Sequence, residues 1–469
     1  MPSILARLVP ILLAVSALGA CNDGDTASTR IPPENVTRAV AQLDTMAAEV
    51  MRRSGIPGMA VAVVHQGRTV YAKGFGVRRL GDPTPVDANT VFQLASLSKS
   101  VAATVVATQV GKGLIGWDTP VVSRLPWFAL QDATATAQAT VGDFFAHRSG
   151  LPEHAGDELE ELGFNRRQVL ERLRHLPTEP LRSRYAYTNF GLTAAAEAVA
   201  QASGRTWEDL SQREIYQPLG MTSTSSRYAD FMAHSNRAAP HIRVNGAFVP
   251  NPKQRQPDAQ SPAGGVSSNV RDMALWMDLI LHTGELNGRP FIPPQALLPA
   301  LSPQYMTSAP ANADAATGYY GYGFNLTVPP KGPSRLSHSG AFFMGAATNF
   351  NLLPAADTGI VILTNAFPVG AAEALGMMYM DMVLYGEVTR DWVSGYGSAF
   401  ERETAPIGSL AGLPFPAAPT PPLALNAYTG TYANGYFGDA QVADSGGSLV
   451  LSMGPAGAQE QIPLKHWDG

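Results

Sequence analysis

Cysteine is almost absent: Cys21 is the only one in 469 residues. That excludes an internal disulfide and a thiolate metal cage, whatever the redox state of the compartment. Charge is sparse too, at 15% of residues with a formal net charge of −5 and no cluster of Lys or Arg. A nucleic-acid partner and a polybasic membrane surface are therefore excluded, and a small molecule or short peptide is the expected partner. No internal repeat of fixed period occurs. Neither a Gly-x-Ser-x-Gly elbow nor a His-Glu-x-x-His pair is present, which counts against an α/β-hydrolase and a zinc peptidase. No metal or other cofactor is expected.

Hydrophobic residues make up 45% of the chain, enough for one large core and a smaller second domain. At the N-terminus Arg7 precedes the apolar run Leu8 to Leu18, which Pro10 interrupts and which is too short to span a bilayer comfortably. The run reads as an export signal. Leu18-Gly19-Ala20-Cys21 resembles a bacterial lipoprotein signal, which implies residues 1–20 as the cleaved segment, a lipid on Cys21, and residues 21–33 as a tether to the membrane.

Periodicity predicts an amphipathic helix over Asn35 to Arg53, closed by Gly55 and Pro57, then a hairpin from Met59–Val64 and Thr69–Ala72. The stretch from there to Asn89 reads as loop, and His65 as a solvated turn residue. A buried helix is expected from Ser96 to Val110, stopping at Gly111. Helix and loop follow, including Ala139 to Ala146 and an alanine-rich helix, Leu192 to Ala202. His147 reads as shaping a loop, and the acidic run Asp157 to Glu161 as a wet helical face. Further on come a helix from Val270 to His282 and a strand pair, Ala346 to Leu353 and Gly359 to Asn365.

Three short patterns carry chemistry. Ser96 and Lys99 stand three apart, so on a helix the ammonium lies near the hydroxyl, and the helix start supplies a field that favours the alkoxide. Tyr187-x-Asn189 offers a phenol able to accept a proton if nearby cations lower its pKa, and an amide able to donate to a substrate carbonyl. His338-x-Gly340 places an imidazole at a strand that glycine lets approach a ligand.

Together and in this order, Ser96-x-x-Lys99, Tyr187-x-Asn189 and His338-x-Gly340 resemble the three motifs of penicillin-recognising serine hydrolases. The nearest branch holds class C β-lactamases, DD-peptidases, D-aminopeptidases and related esterases. His147-Arg148-Ser149-Gly150-Leu151-Pro152, Pro218-Leu219-Gly220-Met221 and Pro262-Ala263-Gly264-Gly265-Val266-Ser267-Ser268 resemble three further landmarks of that family. The resemblance implies an α+β, β-lactamase/transpeptidase-like fold over residues 34–390: an antiparallel sheet packed with helices, plus a mainly helical subdomain. It implies an acyl-enzyme on Ser96, proton transfer by Lys99 and Tyr187, and substrate orientation by Asn189. An oxyanion hole from the N–H groups of Ser96 and Ala341 beside Gly340 is implied as well. His338 stands where many β-lactamases carry lysine. A histidine titrates near neutrality, so an ester, D-amino-acid amide or peptide is favoured over a β-lactam, with activity following the charge on His338. The competing expectation is a sensor or inactive homologue that is acylated without turnover. Residues 391–422 read as a linker, and 423–469 as part of a lipocalin-like β domain whose four short strands are too few to close a barrel.

Overall fold

The computed structural model describes residues 31–406 and 408–468, so the expected signal segment and Cys21 lie outside the described residues. Helix α1 (Pro33–Ser54) starts on a proline, whose missing N–H costs nothing in a first turn, and ends at Gly55 with a left-handed φ of 71°. Strands β1 (Gly58–His65) and β2 (Arg68–Arg79) form the expected hairpin. Strand β2 runs beyond Ala72, and β3 (Asp82–Pro85) pairs with it where a loop was expected. Both are largely solvent-facing, so their sequence lacks the alternation that marks a half-buried strand.

The segment that bears Ser96 begins with a 3₁₀ turn, Ala95–Leu97, which replaces the first turn of the expected helix, and continues as α2 (Ser98–Gly111). Four more helices position the site: α3 (Val141–Phe145), held by a capping box between Thr140 and Asp143; α4 (Asp157–Glu161); α5 (Asn189–Ser203); and α6 (Val270–Leu281), capped by Asn269. Strands β4 (Tyr305–Ser308), β5 (Thr317–Tyr320), β6 (Asn325–Val328), β7 (Arg335–Phe342), β8 (Ala346–Leu353) and β9 (Thr358–Thr364) follow, then α7 (Ala371–Tyr385).

All nine strands join one antiparallel sheet in the order β4-β5-β6-β7-β8-β9-β1-β2-β3. The N-terminal hairpin is stitched to the far end of the domain by pairing of β1 with β9, from Met59 opposite Thr364 to His65 opposite Thr358. Because side chains alternate across a strand, Met59, Val61 and Val63 join Leu43 of α1 and Leu375 of α7 in one core. Ala60, Ala62 and Val64 join the α2 and α6 side chains in the other. This is why β1 reads as an unbroken apolar run, and each large side chain so buried contributes roughly 1.5–3 kcal/mol.

Helix α8 (Trp392–Glu403) occupies the first part of the expected linker. Its N-terminus is capped by Asp391 and tied to α1 through the 2.7 Å pair between Arg53 and Asp391. The C-terminal sheet is an open antiparallel meander of β10 (Gly430–Asn434), β11 (Gly438–Asp444), β12 (Leu449–Met453) and β13 (Glu460–Pro463). Among the described residues no helix is long and apolar enough to cross a membrane.

Candidate active site

Ser96 sits in the 3₁₀ turn just after Ala95, which is held at a left-handed φ of 49° that a residue with a Cβ adopts at a cost. The turn is gripped from two sides. Leu94 donates its N–H to Val266 O at 2.8 Å, and Val266 N–H reaches Ser98 Oγ at 3.0 Å. On the opposite side Thr348 Oγ1 donates to Leu94 O at 2.7 Å. Gly340 of β7 is pressed against the same backbone: a Cβ there would lie 2.4 Å from Leu94 O and 2.9 Å from Ser96 N. Only glycine fits that contact. Strand β6 pairs with β7 no further than Ser337, so the edge from His338 to Phe342 is left to face Ser96, with Ala341 exposed at the rim.

Lys99 is completely buried. Its Nζ lies 3.0 Å from Ser96 Oγ, 2.6 Å from Asn189 Oδ1 and 3.0 Å from Ala263 O, and 4.6 Å from the centre of the Tyr187 ring. Burial lowers its pKa to about 7, against an opposing pull from Asp157. The amide oxygen of Asn189 and the carbonyl of Ala263 can only accept, so two N–H bonds of the neutral amine are spoken for. Its lone pair is then left for the Ser96 proton.

Tyr187, half-buried, departs from the expectation: desolvation raises its pKa, opposed by its contact with the Ser96 side chain. A buried phenol facing an amine that is itself close to neutral keeps its proton, so Tyr187 stands as a proton donor rather than a resting phenolate. The loop around it is built by the His147 segment. His147 Nδ1 accepts from Thr188 N–H at 3.1 Å, its carbonyl accepts from Ala186 N–H at 2.8 Å, and its ring packs 4.5 Å from that of Tyr187. That is the loop-shaping role expected of it.

His338 is corrected more sharply. It is buried beside Tyr187, with ring centroids 6.5 Å apart, accepting from Tyr320 O–H at Nε2 (2.8 Å) and donating from Nδ1 to Ser339 O (2.6 Å). Burial, then the charge on Lys99, pushes its pKa down to about 3. A neutral imidazole locked in one tautomer neither titrates near pH 7 nor grips a carboxylate. The acidic run is corrected too. Asp157 Oδ2 accepts from Asn189 Nδ2 at 2.8 Å and pairs with His154 Nδ1 at 3.0 Å, while Glu160 is buried against Arg255 and Gln260. Asp157, Tyr320 and Ala263 belong to the site and were missed. Asp157 left a signal in an acidic run that shows no face pattern, and Ala263 in the landmark Pro262-Ala263-Gly264-Gly265, which gave it no role.

Ser96, Lys99, Tyr187 and Asn189 thus converge, with Gly340 behind Ser96 and Ala341 at the rim. The fold and this arrangement are those of a β-lactamase/transpeptidase-like protein. Two solved structures share the fold. An octameric penicillin-binding protein homologue from Pyrococcus abyssi has a TM-score of 0.65, with 90% of each chain covered and 20% identity. A class C beta lactamase from Rhodobacter sphaeroides has a TM-score of 0.60, covering 73% of this chain and 98% of that one at 22% identity. The chain belongs to the beta-lactamase family, whose profile matches residues 43–378. Residues 415–469 match a domain of unknown function, DUF3471. Among curated relatives, the unguisins hydrolase ungD of Aspergillus violaceofuscus is 25% identical over 83% of this chain and 74% of its own length. The D-alanyl-D-alanine-carboxypeptidase/endopeptidase AmpH of Escherichia coli K12 is 26% identical over 51% of this chain and 62% of its own.

Proposed function

We propose that this protein is an exported serine hydrolase that forms an acyl-enzyme on Ser96 and acts on an ester, a D-amino-acid amide or a short peptide in preference to a β-lactam. One observation carries the reading: a fully buried amine whose other two hydrogen-bond partners are acceptors lies 3.0 Å from the Ser96 hydroxyl. In the reaction so read, neutral Lys99 takes the Ser96 proton as Oγ bonds to the substrate carbonyl carbon. The N–H groups of Ser96 and Ala341 hold the resulting oxyanion, each such donor being worth about 3–4 kcal/mol. Tyr187 protonates the leaving nitrogen or oxygen and recovers its proton through Lys99. Water then repeats the sequence against the ester, and Ser96 is released. The preference against β-lactams follows from the neutral, buried state of His338, which leaves no fixed cation at that position for a substrate carboxylate. Relatives named as hydrolases of unguisins and of D-alanyl-D-alanine peptides support a peptide-type substrate.

Turnover is the test. With an activated short-chain ester, product is expected to pass one equivalent per enzyme and continue at a steady rate. A chromogenic cephalosporin run in parallel is expected to be slower in kcat/KM. A single stoichiometric burst would identify an acylated sensor instead. We also read Cys21 as the lipid-bearing residue that holds the protein at a membrane. Cys21→Ser is expected to move the protein from the membrane fraction to the soluble exported one, and unchanged partition would refute the anchor.

A further inference from the structure

The C-terminal sheet contains a single buried side chain among its described residues, and that side chain is not in a core of its own. Tyr436 stands at the turn between β10 and β11, at 8% exposure, in a domain whose strands are otherwise half or fully exposed. Asn434 Oδ1 fixes the turn by accepting the N–H groups of Tyr436 (2.8 Å) and Phe437 (2.9 Å). The ring is thereby presented to the catalytic domain before any contact is made.

What it meets there is the start of α4. Gly156 precedes this helix with a φ of 95°, and a Cβ there would lie 2.8 Å from the Phe190 ring and 2.9 Å from Val169, so the position admits only glycine. A glycine N-cap offers no side chain to the first N–H groups of the helix. The hydroxyl of Tyr436 supplies a partner from outside, accepting from Gly156 N–H at 2.8 Å and donating to Glu158 Oε2 at 3.2 Å. The short segment so clamped holds the proposed catalytic loop at two points. His154 N–H donates to Tyr187 O at 2.8 Å, and Asp157 Oδ2 accepts from Asn189 Nδ2 at 2.8 Å, which turns Asn189 Oδ1 toward Lys99.

We propose that the C-terminal β domain, through Tyr436, is a positioning element of the active site that fixes the Tyr187–Asn189 loop against Lys99. The inference rests on the reading of Ser96, Lys99 and Tyr187 given above, and it assigns a role to the matched domain of unknown function. Tyr436 touches no reacting atom. It acts by holding Asp157 where that carboxylate orients Asn189 and favours the charged form of Lys99.

The test is Tyr436→Phe in the full-length protein, which keeps the packed ring and removes the hydroxyl. Tyr432→Phe serves as control, because its hydroxyl bonds Tyr428 O, in the turn just before β10, inside the C-terminal domain. Tyr436→Phe is expected to lower both kcat on an activated ester and the rate of Ser96 labelling by a fluorophosphonate about tenfold, the scale of one hydrogen bond. Its melting temperature should stay close to that of Tyr432→Phe. The acid limb of kcat/KM should move to lower pH, since a carboxylate that drifts from Lys99 supports its charge less. The titratable groups around Lys99 are Asp157, His147, His154, Tyr187 and His338, and only Asp157 lies on the clamped helix. Wild-type rates and pH profile in Tyr436→Phe overturn the inference. So does a loss of rate matched by a loss of thermal stability with the pH profile unmoved. A wild-type protein that is never labelled at Ser96 overturns the parent reading, a result distinct from either.

Discussion

Ser96→Ala is expected to give no covalent adduct with a fluorophosphonate and to reduce ester turnover to the uncatalysed background, with the fold intact. Loss of a serine nucleophile that acts as one unit with its base costs up to about 10⁶ in kcat. The turn survives loss of the hydroxyl, because its backbone is held by Leu94, Val266 and Thr348, while Ser96 Oγ contacts only the Lys99 amine and the Tyr187 side chain of the site itself. Intact-mass measurement after labelling decides the matter. An adduct retained on the alanine variant would place the nucleophile elsewhere.

Lys99→Met is expected to lower kcat/KM by about 10²–10⁴, the range of a positioned general base, while making the protein more stable. The sign follows from the pKa. Lys99 titrates near 7 in the folded protein, well below an ordinary lysine, because burial penalises its charge. Between the folded and unfolded values the unfolded chain binds the extra proton, so stability in the wild type rises with pH across that window. Methionine fills the same channel with no charge to desolvate, and its melting temperature at pH 7–8 should exceed that of the wild type. In the wild type, kcat/KM should rise with pH about a midpoint near 7 as Lys99 loses its proton. His338→Gln should leave that midpoint in place, since His338 is already neutral throughout pH 5–8. A midpoint that follows the residue at 338 would restore the imidazole as the titrating group. A Lys99→Met variant with unchanged rates would remove the base.

The legible parts of this protein were those set by neighbours along the chain. Helix α1, closed at Gly55, the strands β8 and β9, and helix α6 from Val270 were all legible within a residue or two. The edge strand β3 and helix α8 were not, because Pro83 and Pro85 in the strand and Gly395 and Gly397 in the helix read as turn and linker residues. The glycine pair Gly264-Gly265 permits close backbone packing. Here the gain is that Ala263 O and Val266 come within hydrogen-bond reach of the α2 start.

By itself the sequence determined the family, through the resemblance of its motifs, along with the periodic helices, the β1 hairpin and a serine and lysine three residues apart, since these last follow from covalent order and short-range geometry. Tertiary structure alone decided the protonation chemistry. Tyr320 lies 18 residues before His338, Asp157 lies 32 before Asn189, and Tyr436 lies 280 after Gly156. Whether an imidazole is charged, a phenol keeps its proton or a helix end is capped depends on the desolvation and partners found across such gaps, and no local pattern encodes them.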